Sequence, residues 1–173
     1  MTTPQVRTLA ADEARLLAPA LAEILVDCID GGASVSFMAP FSIADALAYW
    51  EKVADAVAAG ATSLILGAVD GKVAGTVQIA YDMPPNQLHR ADIRKLLVHR
   101  RARRHGLGRA LMLAAEREAM AQSRSLLCLD TASGAAERLY ASLGWQPVGV
   151  IPDYALWPHG GFCDTTIFYK RLP

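Results

Sequence analysis

The residues best suited to chemistry lie in Val98-His99-Arg100-Arg101-Ala102-Arg103-Arg104-His105-Gly106-Leu107-Gly108-Arg109-Ala110-Leu111. A strand hands over to a helix here through a turn that carries Gly106 and Gly108. The first N–H groups of a helix lack intrahelical acceptors and lie at the positive end of its dipole. Such a turn receives an anion, phosphate above all, and residues without Cβ let oxygens approach the backbone. Seven basic residues (Arg94, Lys95, Arg100, Arg101, Arg103, Arg104, Arg109) and no acidic one fall between positions 94 and 109. The whole chain is neutral, with seventeen Lys plus Arg against seventeen Asp plus Glu, so its positive charge is concentrated at this turn. Charge alone describes a solvated surface run. Charge beside a glycine turn at a helix start points to a phosphate-bearing ligand.

Two familiar phosphate loops do not fit. A dinucleotide fingerprint needs a third small residue where this chain has Leu111, and a Walker A loop needs a Gly-Lys-Ser or Gly-Lys-Thr that is absent. Arg103-Arg104-His105-Gly106-Leu107-Gly108 instead resembles the acetyl-CoA-binding motif Arg/Gln-x-x-Gly-x-Gly/Ala of the GNAT superfamily of N-acetyltransferases. Leu139-Tyr140-Ala141-Ser142-Leu143-Gly144-Trp145 is similar to that family's Phe/Leu-Tyr-x-x-x-Gly-Phe signature, and the resemblance covers Ser63 to about Arg171. Gly31 to Met38, Leu88 to Leu96 and Leu129-Asp130-Thr131 look like the tabtoxin-resistance acetyltransferases within the superfamily.

The resemblance implies a role for each matching position. Pantetheine would lie along the backbone of Leu96, Leu97 and Val98, inserted where the fourth and fifth strands splay. The pyrophosphate would meet N–H groups across Arg103, Arg104, His105, Gly106, Leu107, Gly108, Arg109 and Ala110, with Arg103 and Arg109 the favoured arginines. Tyr140 would give a proton or a hydrogen bond to the departing thiolate, and we expect proton donation. Asp92 and Asp130 are the candidate general bases for the attacking amine. Ser133 stands where the family often has Asn; it can cap the next helix and contact the coenzyme. Arg104 replaces the glycine that often follows the first motif arginine, which affects the local shape of the loop. The implied co-substrate is acetyl-CoA and the implied acceptor a small-molecule amine, of an amino-acid-like toxin or antibiotic if the finer likeness holds. An acyl-CoA-binding regulatory module without turnover is the alternative.

The elements that position these residues follow from periodicity. Gln5 to Leu9 reads as a strand, and Leu16, Leu17, Leu21, Ile24, Leu25 and Cys28 recur at helical spacing over Asp12 to Ile29. Ser42 caps a helix over Ile43 to Ala59. Ser63 to Val69 and Lys72 to Tyr81 form a hairpin about Asp70-Gly71. Ala91 to Val98 is the central strand, and a helix runs from the glycine turn to about Gln122. Leu126 to Thr131 is a buried strand, and Ser133 opens a helix whose Ala136, Leu139, Tyr140 and Leu143 share one face. Gln146 to Ile151 and Thr165 to Lys170 are the last strands, with Pro152 to Gly161 expected as a loop. The order predicts an α/β (α+β mixed) domain over residues 1–173: a mixed, mostly antiparallel twisted sheet flanked by about four helices.

Composition excludes other classes. With 53% apolar and 20% charged residues, this is no disordered chain. A neutral balance argues against bulk electrostatic binding of nucleic acid, which the basic run alone would suggest. Cys28, Cys128 and Cys163 are odd in number and lie among apolar residues, as reduced thiols of a cytoplasmic protein do. His89, His99, His105 and His159 lack metal-ligand spacing, so no metal is expected. No membrane segment or signal peptide is expected either, and the expected state is a monomer or homodimer.

Overall fold

Apolar residues on successive positions of a strand face opposite sides of a sheet, so a continuous apolar run needs cover on both faces. Leu64, Ile65 and Leu66 show this directly in the computed structural model, which describes residues 3–173: Ile65 belongs to one core, Leu64 and Leu66 to the other. The chain runs β1 (Gln5–Leu9), α1 (Ala11–Leu16), α2 (Ala18–Asp30), α3 (Ile43–Ala58), β2 (Thr62–Val69), β3 (Lys72–Ala80) and β4 (Arg90–Val98). It continues with α4 (Leu107–Ala121), β5 (Leu126–Thr131), α5 (Gly134–Ser142), β6 (Gln146–Leu156) and β7 (Phe162–Arg171). The strands form one sheet ordered β1-β2-β3-β4-β5-β7-β6 with β4 in the middle. All neighbours are antiparallel except β4 and β5. Residues of α1, α2 and α3 fill the core on one face, while α4 and α5 fill the other.

The mixed, mostly antiparallel sheet is the expected fold, with two local differences. The single helix expected over Asp12 to Ile29 breaks at Leu17, giving five α-helices among the described residues rather than about four. Pro19 lies in the first turn of α2, where its missing N–H and its ring are tolerated; inside a continuous helix they are not. The loop expected over Pro152 to Gly161 shrinks to residues 157–161, because β6 continues to Leu156. As the outer strand of the sheet, β6 accommodates Pro152, and Asp153 takes a φ of 52° at an irregular step of the β6–β7 ladder.

Candidate active site

The sheet opens at its centre. Parallel pairing of β4 with β5 is confined to Arg90, Ala91 and Asp92 against Leu126, Leu127 and Cys128. Beyond that point β4 stays with β3 as far as Val98 opposite Gly75, and β5 stays with β7 as far as Thr131 opposite Thr166. The expected splay of the fourth and fifth strands is therefore present. Leu97 points into the α1–α3 core, whereas Leu96 and Val98 pack against the α4–α5 core. Side chains are thus committed to packing, and the β5-facing backbone of Leu96 to Val98 is without a strand partner.

A helix mouth stands beside the gap. Gly106 takes φ 77° as the N-cap of α4, with no side-chain cap, and the first amide to close a turn is Ala110 N, 3.0 Å from Gly106 O. The N–H groups of Leu107, Gly108 and Arg109 therefore have no acceptor within the helix. No atom would lie within 4 Å of a Cβ at Gly106, so the approach is open. A Cβ at Gly108 would stand 3.3 Å from Leu139 Cδ2 and 4.0 Å from Val98 Cγ2, so this glycine also lets α4 close against α5 beside the gap. Arg104 adopts φ 66°, the left-handed region that glycine takes freely, at the position where the resembling motif often has glycine. Leu107 anchors the mouth from below, buried in a notch left by Gly67 and Gly75.

The basic run does not form a free cationic patch. Arg94 bonds Asp92, Lys95 bonds Ser36, and Arg100 bonds Asp27. Arg101 donates to Val73 O, Arg103 to Val98 O at 3.2 Å and Arg109 to Ser142 Oγ at 3.2 Å. Arg103, Arg104, His105 and Arg109 remain exposed around the helix mouth.

A buttress from α2 holds the start of this loop. Asp27 accepts Arg100 N at 2.8 Å and Arg100 Nε at 2.9 Å. Burial pushes the Asp27 carboxyl upward, but those bonds and the charge of Arg100 outweigh it and hold the group below its ordinary value. Burial lowers the His99 pKa, with the Arg100 and Arg101 charges adding to it against Asp27. Its Nδ1 accepts Arg101 N at 3.2 Å, as a neutral imidazole can. Neighbouring Cys28 donates its thiol to Val98 O at 3.7 Å.

Tyr140 lies 5% exposed on the inner face of α5, edge-on to Phe168. Burial raises its pKa and the charge of Asp130 adds to the rise; no hydrogen bond to the phenol contributes. This changes the expected chemistry. A phenol raised above 10 is a much weaker acid than a thiol near 8.5, so Tyr140 is suited to hydrogen bonding rather than to full proton transfer. Glu116 of α4 sets the end of α5: it accepts Trp145 Nε1 at 2.9 Å and Lys170 Nζ at 2.7 Å, and Lys170 also donates to Leu143 O at 2.7 Å. Ser133 caps α5 as expected, through Ala136 N at 3.4 Å, and Gly144 ends it at φ 82°.

The two candidate carboxylates have different surroundings. Asp92 is bound between Arg90 at 2.5 Å and Arg94 at 3.2 Å, at the last paired position before the gap. Asp130 is exposed, lies beyond the paired segment and accepts Thr165 Oγ1 at 3.0 Å. Its charge reaches both Tyr140 and Lys95. A cavity of about 440 Å³ begins at the next residue, Thr131, and is lined by Glu137, Trp157, Phe162, Cys163 and Asp164. Among the described residues no group of three or more His, Cys, Asp or Glu could hold a metal ion, and no helix is long and apolar enough to cross a membrane.

The sequence analysis does not single out Asp27, Gly67, Gly75 or Glu116, and it reads Lys95 and Ser36 only as parts of the basic run and of the Gly31 to Met38 segment. An acidic residue inside the apolar face of α4 and glycines inside two apolar strands were visible signals of a buried partner and a close approach. Nothing local marks Asp27 or Ser36, whose partners are 73 and 59 residues away.

Comparison with known proteins agrees with this arrangement. The sequence model of the acetyltransferase (GNAT) family matches residues 31–145. An N-acetyltransferase from Staphylococcus aureus Mu50 superposes with a TM-score of 0.81 at 16% identity, covering 99% of this chain and 100% of its own. A ribosomal-protein-alanine N-acetyltransferase from Brucella melitensis gives 0.78 at 20% identity, over 97% and 99% of the two chains. A phosphinothricin acetyltransferase from Sinorhizobium meliloti, solved in complex with acetyl-CoA, gives 0.78 at 17% identity over 98% and 89%. At these identities the likeness is one of fold.

Proposed function

The chain belongs to the acetyltransferase (GNAT) family, and from that premise we propose that it transfers an acetyl group from acetyl-CoA to the amine of a small molecule. One observation carries this reading: the edge of β4 that β5 leaves unpaired lies beside the uncapped mouth of α4, where Gly108 sits against both Val98 and Leu139, the residue before the buried phenol of Tyr140. Those features fit acetyl-CoA, whose diphosphate, amide-bearing arm and sulfur need donors in that order. When bound, it supplies an acetyl thioester.

The residues divide the work. Amides of Leu107, Gly108 and Arg109 hold diphosphate oxygens, with Arg103, Arg104 and His105 exposed beside them. The backbone of Leu96 to Val98 holds the arm as a third strand would. Tyr140 presents its hydroxyl proton to the sulfur, stabilising negative charge as it develops there. Asp130 receives the amine and takes its proton, directly or through water; Asp92, already paired with two arginines, orders β4 at the start of the gap. Ser133 caps α5 and so fixes the helix that carries Tyr140.

We take the acceptor to be an amino-acid-like toxin or antibiotic, on the likeness of Gly31 to Met38, Leu88 to Leu96 and Leu129 to Thr131 to the tabtoxin-resistance acetyltransferases. The whole chain then acts as one domain in the cytoplasm, as a monomer or homodimer. Thiol release from acetyl-CoA across amino acids, polyamines, aminoglycosides, β-lactam-type toxins and peptides tests the reading. Amine-dependent release is expected. Tight acetyl-CoA binding without release on any amine would instead identify an acyl-CoA-binding regulatory module.

A further inference from the structure

Two non-glycine residues in left-handed backbone conformations meet beside the opened stretch of β4. Lys95 takes φ 52° and Ser36 takes φ 76°, and Lys95 Nζ donates to Ser36 Oγ at 2.8 Å. The first has a clear origin. Thr76 and Gln78 of β3, two steps apart, face Leu97 and Arg94 of β4, three steps apart, so β4 carries an extra residue. A bulge of this kind re-aims a side chain. Strained backbone of this sort gathers at ligand clamps.

Resting on the acetyl-transfer reading, we propose that the acceptor carries a carboxylate beside its amine, and that Lys95 with Ser36 holds that carboxylate. Lys95 is half-buried, with its ammonium 5.6 Å from the centre of the Phe37 ring. Yet it takes part in none of the ion pairs among the described residues. Burial lowers its pKa and Arg94 adds to this, with the charge of Asp130 opposing. A half-buried cation with only a neutral hydroxyl as partner is short of an anion. Its place is the right one: Lys95 lies on the opened stretch of β4, between Asp92, the last residue paired with β5, and Leu96, and the Asp130 charge reaches its ammonium. An acceptor lying between them would set its amine at Asp130 and its carboxylate at Lys95.

The loop that brings Ser36 is held in place before any acceptor arrives. Ser34 donates to Leu156 O at 3.2 Å and accepts the Cys163 thiol at 3.5 Å, which fastens the loop to β6 and β7. Phe37 packs against Phe41 and Tyr49 at ring separations of 4.6 and 5.2 Å. A site fixed in advance loses less entropy on binding.

The test uses matched sets of an α-amino acid, its primary amide and its decarboxylated amine. It reads kcat/KM by thiol release and acceptor binding by calorimetry in the presence of CoA. The acid is expected to be preferred over its amide by about 10–100-fold, the range for a hydrogen-bonded charge. Lys95→Met should bring the ratio near one through acceptor KM, and Lys95→Arg should retain much of it; Ser36→Ala should lower it less. A wild-type enzyme that binds or acetylates amides as well as acids overturns the proposal, as does one that binds none of the set. So does a Lys95→Met variant that loses rate on acids and amides equally, which would make the contact a structural tie. Calorimetry with acetyl-CoA alone separates the two levels: failure there sinks the acetyl-transfer reading, while normal binding without an acid preference sinks this proposal only.

Discussion

Asp27, in the last turns of α2, is joined to Arg100 by two hydrogen bonds of 2.8 and 2.9 Å, one from its backbone and one from its side chain. Arg100, a member of the basic run but not one of the arginines favoured for phosphate, is thereby engaged by α2 while its side chain stays exposed. The backbone of Arg100 is fixed at the start of the loop that ends in Gly106, so helix α2 buttresses the loop proposed to hold the coenzyme.

Asp27→Asn should therefore weaken acetyl-CoA binding by about 5–10-fold and cost about 1–3 kcal/mol of stability, since charge-assisted bonds are lost and a polar group stays half satisfied. Calorimetry and denaturant unfolding measure both. The Asp27 pKa is depressed in the folded state, so the native state favours the carboxylate. Its stabilising contribution is present above the ordinary value of 3.8 and is lost as pH falls through the lower folded value. The difference in Tm between wild type and Asp27→Asn should thus be full at pH 7 and shrink below about pH 4. A difference independent of pH would show that the charge does no fastening.

Tyr140→Phe should lower kcat by about 10–100-fold while changing acetyl-CoA Kd by less than about threefold, because the role proposed for the hydroxyl is to act on charge that develops as the sulfur leaves. The raised pKa keeps the phenol neutral, and the stability gained by burying it un-ionised is present below the ordinary value of 10.0 and lost only as pH rises toward the higher folded value. Any alkaline limb of the kcat profile below pH 10 should therefore persist in the variant. Its disappearance would identify Tyr140 as a titrating acid after all.

The architecture was legible where a local pattern had a single physical solution. Gly106, Ser133 and Gly144 each sit at a helix end in the conformation their residue type favours, and the hairpin at Asp70-Gly71 closes with both residues at positive φ. Apolar periodicity alone predicts one helix running through Pro19, and the turn formers Pro152 and Asp153 predict a loop; in the structure the helix breaks at Leu17 and β6 continues to Leu156. The site was half legible. Tyr140 and the glycine turn carry local signatures, whereas Lys95 is aimed by a bulge created through pairing with β3, and a bulge leaves no trace in the residues of one strand. Asp92 and Asp130 read alike in sequence; what separates them is Arg90 and Arg94 on one and Thr165 on the other.

Gly75→Ala should destabilise the protein by about 1–3 kcal/mol. A Cβ there would lie 2.8 Å from Leu97 O and 3.0 Å from Leu107 Cδ2, and the carbonyl belongs to a ladder that cannot move freely. The displaced Leu107 begins α4, so acetyl-CoA affinity should fall together with Tm. Gly149→Ala is the matched control: a Cβ at this strand position meets nothing within 4 Å, and its Tm should stay within about 2 °C of wild type. If Gly75→Ala behaves like that control, the notch does not seat the helix mouth.

The strongest stability effect should come from Glu116, whose carboxylate is 9% exposed and pairs with Lys170. Glu116→Gln keeps an oxygen for Trp145 Nε1 but leaves the Lys170 ammonium with Leu143 O as its remaining partner. An unpaired buried charge costs about 3–5 kcal/mol, more than removal of the pair as a whole. Lys170→Met in the same chain should therefore restore part of the loss, which denaturant unfolding of the two single variants and the double variant would measure as a coupling energy. Because Leu143 and Trp145 follow directly on α5, the single variant should also lower kcat by letting Tyr140 drift from the gap, with a smaller change in acetyl-CoA Kd. Additive losses in the double variant would mean that Glu116 and Lys170 act separately, and that α5 is set by packing of Tyr140, Leu143 and Trp145 alone.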